Sequence, residues 1–529
     1  MKHALLLVLL LIGTSGRAQL QTGSNVAIAE TESGKVRGYV HNGIYTYKGI
    51  PYAEAARFEA PRKPKAWTGV RSSMTYGPVA PLMEPTTSVQ DESEFVYHHD
   101  WGYTSEDCLR LNVWTPGLSD GKKRPVMVWL PGGGFVSGSS QELPSYDGEN
   151  LAKKGDVVLV SLNHRLNILG FLDLSAYGEK YKHSANVSML DIVAAMQWVQ
   201  QNIARFGGDP DNVTIFGQSG GGAKVNTLMA MPSAKGLFHK AINQSGSARG
   251  SFLEKPVTQA VAAALLRELR LRPEQVDSLQ TIPFAVLSEA GKKAMQQVAG
   301  QPGSSLGGMP LSWGPSRDGA DLPYQLLAPE ALELSKNIPL LIGTTKNEFM
   351  TSLGAGLANA SEEEVMGFIR NRYKDKADAY LKAVRQAYPN DKRPSDLIDI
   401  DARYRPGALR VANAKSAVAG GAPVFLYLFT WQSPVLDGKY KAIHCMDIPF
   451  AFNNIARCEE MTGGTKEAYA LADKVSQAWI NFARTGNPGH KGLPTWPAYT
   501  AGNTATMHLD VQPVVRPQHD RALLELMAQ

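Results

Sequence analysis

Hydrophobic residues fall along this chain in two rhythms that take turns. Continuous apolar runs occur at 125–130 (PVMVWL), 156–162 (DVVLVSL), 213–216 (VTIF), 338–343 (IPLLIG) and 423–429 (PVFLYLF). Short apolar runs rich in β-branched residues predict strands buried on both faces. Between them, Met189, Ile192, Val193, Met196, Val199, Ile203 and Phe206 recur at helical spacing, and Gly207 stands where a helix C-terminus wants it. A second helical pattern, from about Glu467 to Arg484, puts Val475, Trp479 and Phe482 on one face and ends near Gly486. Buried strands alternating with helices predict an α/β fold with a large, mostly parallel sheet covered on both faces. Residues 34–52 alternate like short antiparallel strands, 107–114 reads as a further strand, and 505–509 as the last. The stretch 250–309 is amphipathic and fits helical insertions beside a binding cleft.

Two of the apolar runs stop at glycines. The run at 213–216 meets Gly217-Gln218-Ser219-Gly220-Gly221, and Ala223 to Met231 then reads as a helix. This is G-x-S-x-G between a strand and a helix, a strained turn that lifts a serine hydroxyl above a sheet. Small residues are needed on either side because a Cβ there would strike neighbouring backbone. In a chain with 50 glycines the pentapeptide alone says little, and its strand-helix setting is what makes Ser219 a candidate nucleophile. The run at 125–130 breaks at Pro131-Gly132-Gly133-Gly134, which offers bare backbone N–H groups. Together with the N–H of Gly220 they could bind the oxyanion of an acyl-transfer intermediate.

Composition narrows the class. The chain has 529 residues, 43% hydrophobic and 19% charged, so it folds around a core and is not disordered. We find no linker, repeat or charge block to divide it, and read residues 19–529 as one domain. Lys2 and the apolar run Ala4 to Ile12, followed by small Gly16 and Ala18, predict a signal peptide over 1–18 and export to the periplasm or beyond. No later run is long enough to span a membrane. A net charge of +5 without basic-aromatic clusters speaks against nucleic acid. No nucleotide fingerprint and no metal-ligand cluster is present. Of the three cysteines, Cys445 and Cys458 are near enough in sequence to close a small disulfide loop.

A serine hydroxyl needs a base, and the base needs a third group to fix its tautomer. In chains with this turn the order is serine, acid, histidine. Glu348 lies just beyond the strand at 338–343 and is the candidate acid. His444, His490, His508 and His519 are the downstream histidines; His444 sits in a loop after the strand at 423–429.

With these residues in view, the chain resembles the type-B carboxylesterases, the α/β-hydrolase family that also holds cholinesterases and neuroligins. The likeness covers nearly all of the chain beyond the leader. It includes Gly49-Ile50-Pro51-Tyr52-Ala53, Glu106-Asp107-Cys108-Leu109-x-Leu111-Asn112-Val113, Gly132-Gly133-Gly134-Phe135, Asn163-x-Arg165-Leu166 and Phe206-Gly207-Gly208-Asp209-Pro210. It continues through the serine turn, Gln244-Ser245-Gly246-Ser247, Glu348, His444 and Asp447-Ile448-Pro449-Phe450. The resemblance implies an α/β-hydrolase fold and a triad of Ser219, Glu348 and His444. It also implies oxyanion donors at Gly133, Gly134 and Gly220, a small-molecule ester substrate, an acyl-enzyme, and no cofactor.

The chain departs from the family pattern at three points. Gln218 stands where relatives commonly carry Glu, which argues against choline-type cationic esters. Pro131 opens the glycine loop where His or Tyr is usual, and Cys108 lacks the upstream partner that relatives pair with it. Phe135 and Phe252 are candidate pocket walls, and Arg249 and Arg317 could meet an acidic substituent. Carbamate or amide hydrolysis, or cleavage of a fumonisin-type tricarballylic ester, would use the same triad. A neuroligin-like binding protein would have lost it, and here it is intact.

Overall fold

The computed structural model describes residues 20–83, 92–302, 304 and 310–528. The predicted signal peptide lies outside them. At the centre is a twelve-stranded sheet. Its parallel part runs Val158–Leu162, Arg124–Leu130, Gly208–Gln218, Lys240–Gln244, Leu340–Thr345, Val424–Phe429 and Thr506–Leu509. Antiparallel strands finish both edges. Arg110–Thr115, the hairpin Tyr39–His41/Ile44–Pro51 and the short edge strand Leu20–Gln21 close one side, and Val514–Arg516 pairs with Thr506–Leu509 on the other. The strand expected to be last is therefore next to last.

The continuous apolar runs have a direct physical reason. Successive side chains of a strand point to opposite faces, and here both faces are covered. Val126, Val128 and Leu130 enter one core cluster while Met127 and Trp129 enter the other. Leu340 and Ile342 divide from Leu341 in the same way, and Val424 and Leu426 from Phe425 and Tyr427. The helix Val187–Asn202 buries Met189, Ile192, Met196 and Val199 in the first cluster. Lys466–Thr485 buries Val475, Trp479 and Phe482 in the second. The α/β-hydrolase expectation is met, with a mostly parallel sheet between helical layers.

Three boundaries differ from expectation. The strand read as 213–216 begins at Gly208, because the polar stretch 209–212 is extended behind a register shift and carries no apolar signal. The serine helix starts at Gly220, three residues early, since its first turn is made of glycines with no periodicity to reveal it. Of the strands expected over 34–52, Gly34–Arg37 leaves the main sheet and pairs with Ile28–Thr31 and Val70–Ser72. The insertion does hold two helices, Lys255–Glu268 and Phe284–Val298, within 250–309. No described helix is long and apolar enough to cross a membrane.

Candidate active site

Ser219 stands between the strand Gly208–Gln218 and the helix Gly220–Met229 with φ 56° and ψ −122°. A non-glycine residue rarely adopts positive φ, so the surroundings must hold it there. They do so through backbone contact. A Cβ on Gly217 would lie 2.6 Å from the carbonyl carbon of Gly221 and 2.7 Å from the oxygen of Leu130. One on Gly221 would lie 2.0 Å from that same oxygen. The Ser219 N–H donates to Gln244 O at 2.8 Å, pinning the turn to the neighbouring strand.

The glycine loop follows from the end of strand Arg124–Leu130. Gly133 and Gly134 take φ of 75° and 65°, and Val136 and Ser137 donate their N–H groups back to Gly133 O. The loop rests directly on the serine turn, since a Cβ on Gly220 would fall 2.1 Å from Gly134 O. The N–H groups of Gly133 and Gly134 donate to no protein acceptor among the described residues. Gly220 is the first residue of its helix, where N–H groups lack an intrahelical acceptor. The structure thus brings the three expected oxyanion donors together, with the helix dipole favouring negative charge at this end.

Glu348 follows the strand Leu340–Thr345 and is 0% exposed. Its Oε1 accepts from Ser245 Oγ at 2.6 Å and from the Thr345 N–H at 2.9 Å. Its Oε2 bonds His444 Nδ1, and its main-chain oxygen accepts the His444 N–H at 2.9 Å. A buried carboxylate on Nδ1 fixes the orientation of the ring. Phe349 and Tyr404 pack on the imidazole at ring-centroid distances of 4.6 and 5.1 Å, although Phe349 is 65% exposed. Gln218 Nε2 lies 3.2 to 3.3 Å from both ring nitrogens. Ser219 Oγ makes no hydrogen bond among the described residues, so Gln218 is the second polar neighbour of the imidazole in this arrangement. Catalytic hydrogen bonds commonly tighten only around substrate.

The other histidines lie elsewhere. His490 Nε2 contacts Lys474 O, and His508 and His519 pack on each other at 4.6 Å. Phe135 and Phe252 line one cavity of about 20 Å³ beside Ala223 and Gly246, with Arg249 on its wall. Arg317 is not there; it pairs with Glu254 on the surface at 2.7 Å. A larger cavity of about 190 Å³ is lined by Phe349 and Tyr404, the two rings packed on His444, and by Arg372 and Arg403, and has no local sequence signal.

The disulfide expectation is corrected. All three cysteines are free. The Cys445 thiol donates to Gln218 Oε1 at 3.2 Å, beside the candidate site, while Cys458 is packed in the apolar core at the start of helix Glu459–Thr462. Sequence proximity does not align their side chains.

Two further polar residues belong to the site. Gln244 receives the Ser219 N–H on its main chain, donates its side-chain amide to Asp447 Oδ2 at 3.0 Å and accepts from Trp479 Nε1 at 3.2 Å. Asp447 also accepts from the Tyr427 hydroxyl at 2.7 Å, and burial pushes its carboxyl up to about 6. No group of three or more His, Cys, Asp or Glu among the described residues could hold a metal ion.

Comparison with known proteins bears on this geometry. Residues 25–525 match the model of the carboxylesterase family. Para-nitrobenzyl esterase of Bacillus subtilis (strain 168) is 36% identical, covering 91% of this chain and 94% of its own length. Phenmedipham hydrolase of Pseudarthrobacter oxydans is 34% identical with the same coverage, 91% and 94%. Among solved structures, an esterase from Clostridium hathewayi that can hydrolyze aliphatic aromatic polyesters superposes with a TM-score of 0.81 at 37% identity. That match covers 96% of this chain and 98% of the other.

Proposed function

This chain belongs to the carboxylesterase family and is a carboxylic-ester hydrolase; we propose that it works through an acyl-enzyme formed on Ser219. His444 takes the Ser219 proton as the hydroxyl attacks the ester carbonyl, and Glu348 supports the imidazolium that results. The carbonyl oxygen gains negative charge and is met by the N–H groups of Gly133, Gly134 and Gly220, which need no reorganisation to receive it. Collapse of the tetrahedral intermediate breaks the bond to the alcohol oxygen, and His444 returns the proton to that leaving group. Water then adds to the acyl carbonyl with His444 again as base, and the acid departs as Ser219 regains its proton.

The observation that carries this reading is the meeting of four distant segments. A serine turn, a glycine loop that touches it and a buried Glu348–His444 pair come together at one end of the sheet. The family's activity supports an ester as substrate. Neutral Gln218 and the aromatic faces of Phe135, Phe252 and Phe349 support an uncharged ester with an apolar or aromatic part. The basic, apolar and small residues at the N-terminus support export.

The test compares hydrolysis of p-nitrophenyl acetate, butyrate and octanoate by the protein and by Ser219→Ala. Turnover falls by roughly 10⁴-fold or more in the variant, the loss seen when a triad nucleophile is removed. A variant that keeps full activity would refute the acyl-enzyme on Ser219. A parallel carbamate series distinguishes the ester reading from a carbamate hydrolase with the same triad.

A further inference from the structure

Five residues beyond Ser219 the same helix carries Lys224, a lysine with 0% exposure. Its ammonium points back under the glycine loop, donating to Pro131 O at 2.7 Å and to Gly132 O at 3.3 Å. The Phe135 ring lies 5.8 Å from Nζ on one side. Lysine is almost never fully buried unless something holds the charge. No carboxylate here lies within ion-pair reach of Nζ among the described residues, so the loop's carbonyl oxygens are its bonded partners. Burial brings the ammonium down to about 7, and the buried carboxylate of Glu142 opposes that fall from a distance. An apolar side chain of the same length would fill the space without this cost, so packing does not account for a lysine.

The two carbonyls define what the charge can do. The Gly132 oxygen and the Gly133 N–H are opposite ends of one peptide unit. A cation bonded to the oxygen withdraws electron density along that amide and makes its N–H a stronger donor. It also holds the loop at the separation from Gly220 that the oxyanion needs, where displacement of about 1 Å costs some 10²-fold in rate. We propose that Lys224 is a positioning residue of the oxyanion hole, its buried ammonium fixing the 131–134 loop against the serine turn and polarising the Gly132–Gly133 peptide toward the developing oxyanion. The inference rests on the reading of Gly133 and Gly134 as oxyanion donors.

The experiment uses Lys224→Met, apolar and of similar length, and Lys224→Gln, which can still donate but carries no charge. For each variant the inhibition constant of an aryl trifluoromethyl ketone is measured beside KM and kcat for p-nitrophenyl butyrate. The ketone adds the serine oxygen and becomes an anionic hemiketal, so its affinity reports the oxyanion hole. The expected result for Lys224→Met is an inhibition constant at least 10-fold higher, a parallel fall in kcat, and KM within threefold. Lys224→Gln falls between Lys224→Met and the unaltered protein. The inhibition constant and KM are independent of the fraction of molecules that fold, and kcat is taken per active site titrated with the ketone, so lost stability does not imitate the effect and either soluble variant decides the question. Unchanged inhibition and unchanged kcat in a variant would overturn the role of Lys224. If the ketone fails to inhibit the unaltered protein, or Ser219→Ala keeps its turnover, it is the acyl-enzyme reading that falls.

Discussion

The two halves of the candidate site are built by different means. On the nucleophile side, main chain positions main chain: Gly217, Gly220 and Gly221, around Ser219, are held by contacts in which a single Cβ would overlap a backbone atom. On the base side, hydrogen bonds and buried ion pairs hold loops. The segment carrying His444 is tied to the segment carrying Glu348 through Asn347, whose N–H donates to Ala442 O at 3.1 Å and whose amide donates to Asp399 O at 2.9 Å. Lys441, buried with Asp396 at 2.6 Å and Asp399 at 2.8 Å, anchors the assembly. Backbone packing leaves no alternative position, whereas an ion network stores its order in desolvated charge. One half is fixed by geometry and the other by energy.

That contrast can be broken by experiment, and the largest effect belongs to the nucleophile side. In Gly221→Ala the new Cβ would stand 2.0 Å from Leu130 O, so strand, turn or loop must shift by more than an ångström. Turnover of p-nitrophenyl butyrate falls by about 10²- to 10³-fold, the scale set by such misplacement. Near-normal turnover would mean that the backbone contact does not control the serine.

Lys441→Met tests the other half. It leaves Asp396 and Asp399 buried without their cation, which costs about 3–5 kcal/mol of stability. The melting temperature drops, while turnover of the molecules still folded stays within tenfold. Lost turnover with an unchanged melting temperature would erase the distinction between the halves.

The smallest effect is a pH slope. The Asp447 carboxyl titrates near 6 when folded, above its ordinary 3.8, so the folded chain keeps its proton to higher pH. Stability therefore falls as pH rises from about 4 to about 6 and levels off beyond, by at most on the order of 3 kcal/mol. Asp447→Asn flattens this part of the stability curve measured by urea unfolding. A slope that persists in the variant belongs to other groups.

The same contrast explains what could be read from the residues alone. Buried strands and the serine turn announce themselves locally, because two-sided burial makes apolar runs and crowding demands adjacent glycines. Glu348 and His444 needed the family pattern, since a carboxylate after a strand and a loop histidine are each ordinary. The Ser245 hydroxyl on Glu348 and the Gln244 amide on Asp447 join positions about one and two hundred residues apart, and nothing in their neighbourhoods marks the pairing. The stretch 209–212 hid because a bulged strand of polar residues has no hydrophobic rhythm. The helices Glu362–Tyr373 and Ala377–Ala387 pack in a core cluster of their own, separate from the two on the sheet, and the sheet's pattern gave no hint of them.

Leu130, Gln218, Thr345 and Phe429 each end a neighbouring part of the one parallel sheet, and the glycine loop, Ser219, Glu348 and His444 follow those ends. The chain therefore separates two inheritances. Mutations that alter which esters are accepted can accumulate at exposed positions of the loops and of 250–309, while the strands and the buried helix faces that set stability remain untouched. For directed evolution this divides the sequence into a part to randomise and a part to leave alone. A library confined to the first can be large without being mostly unfolded.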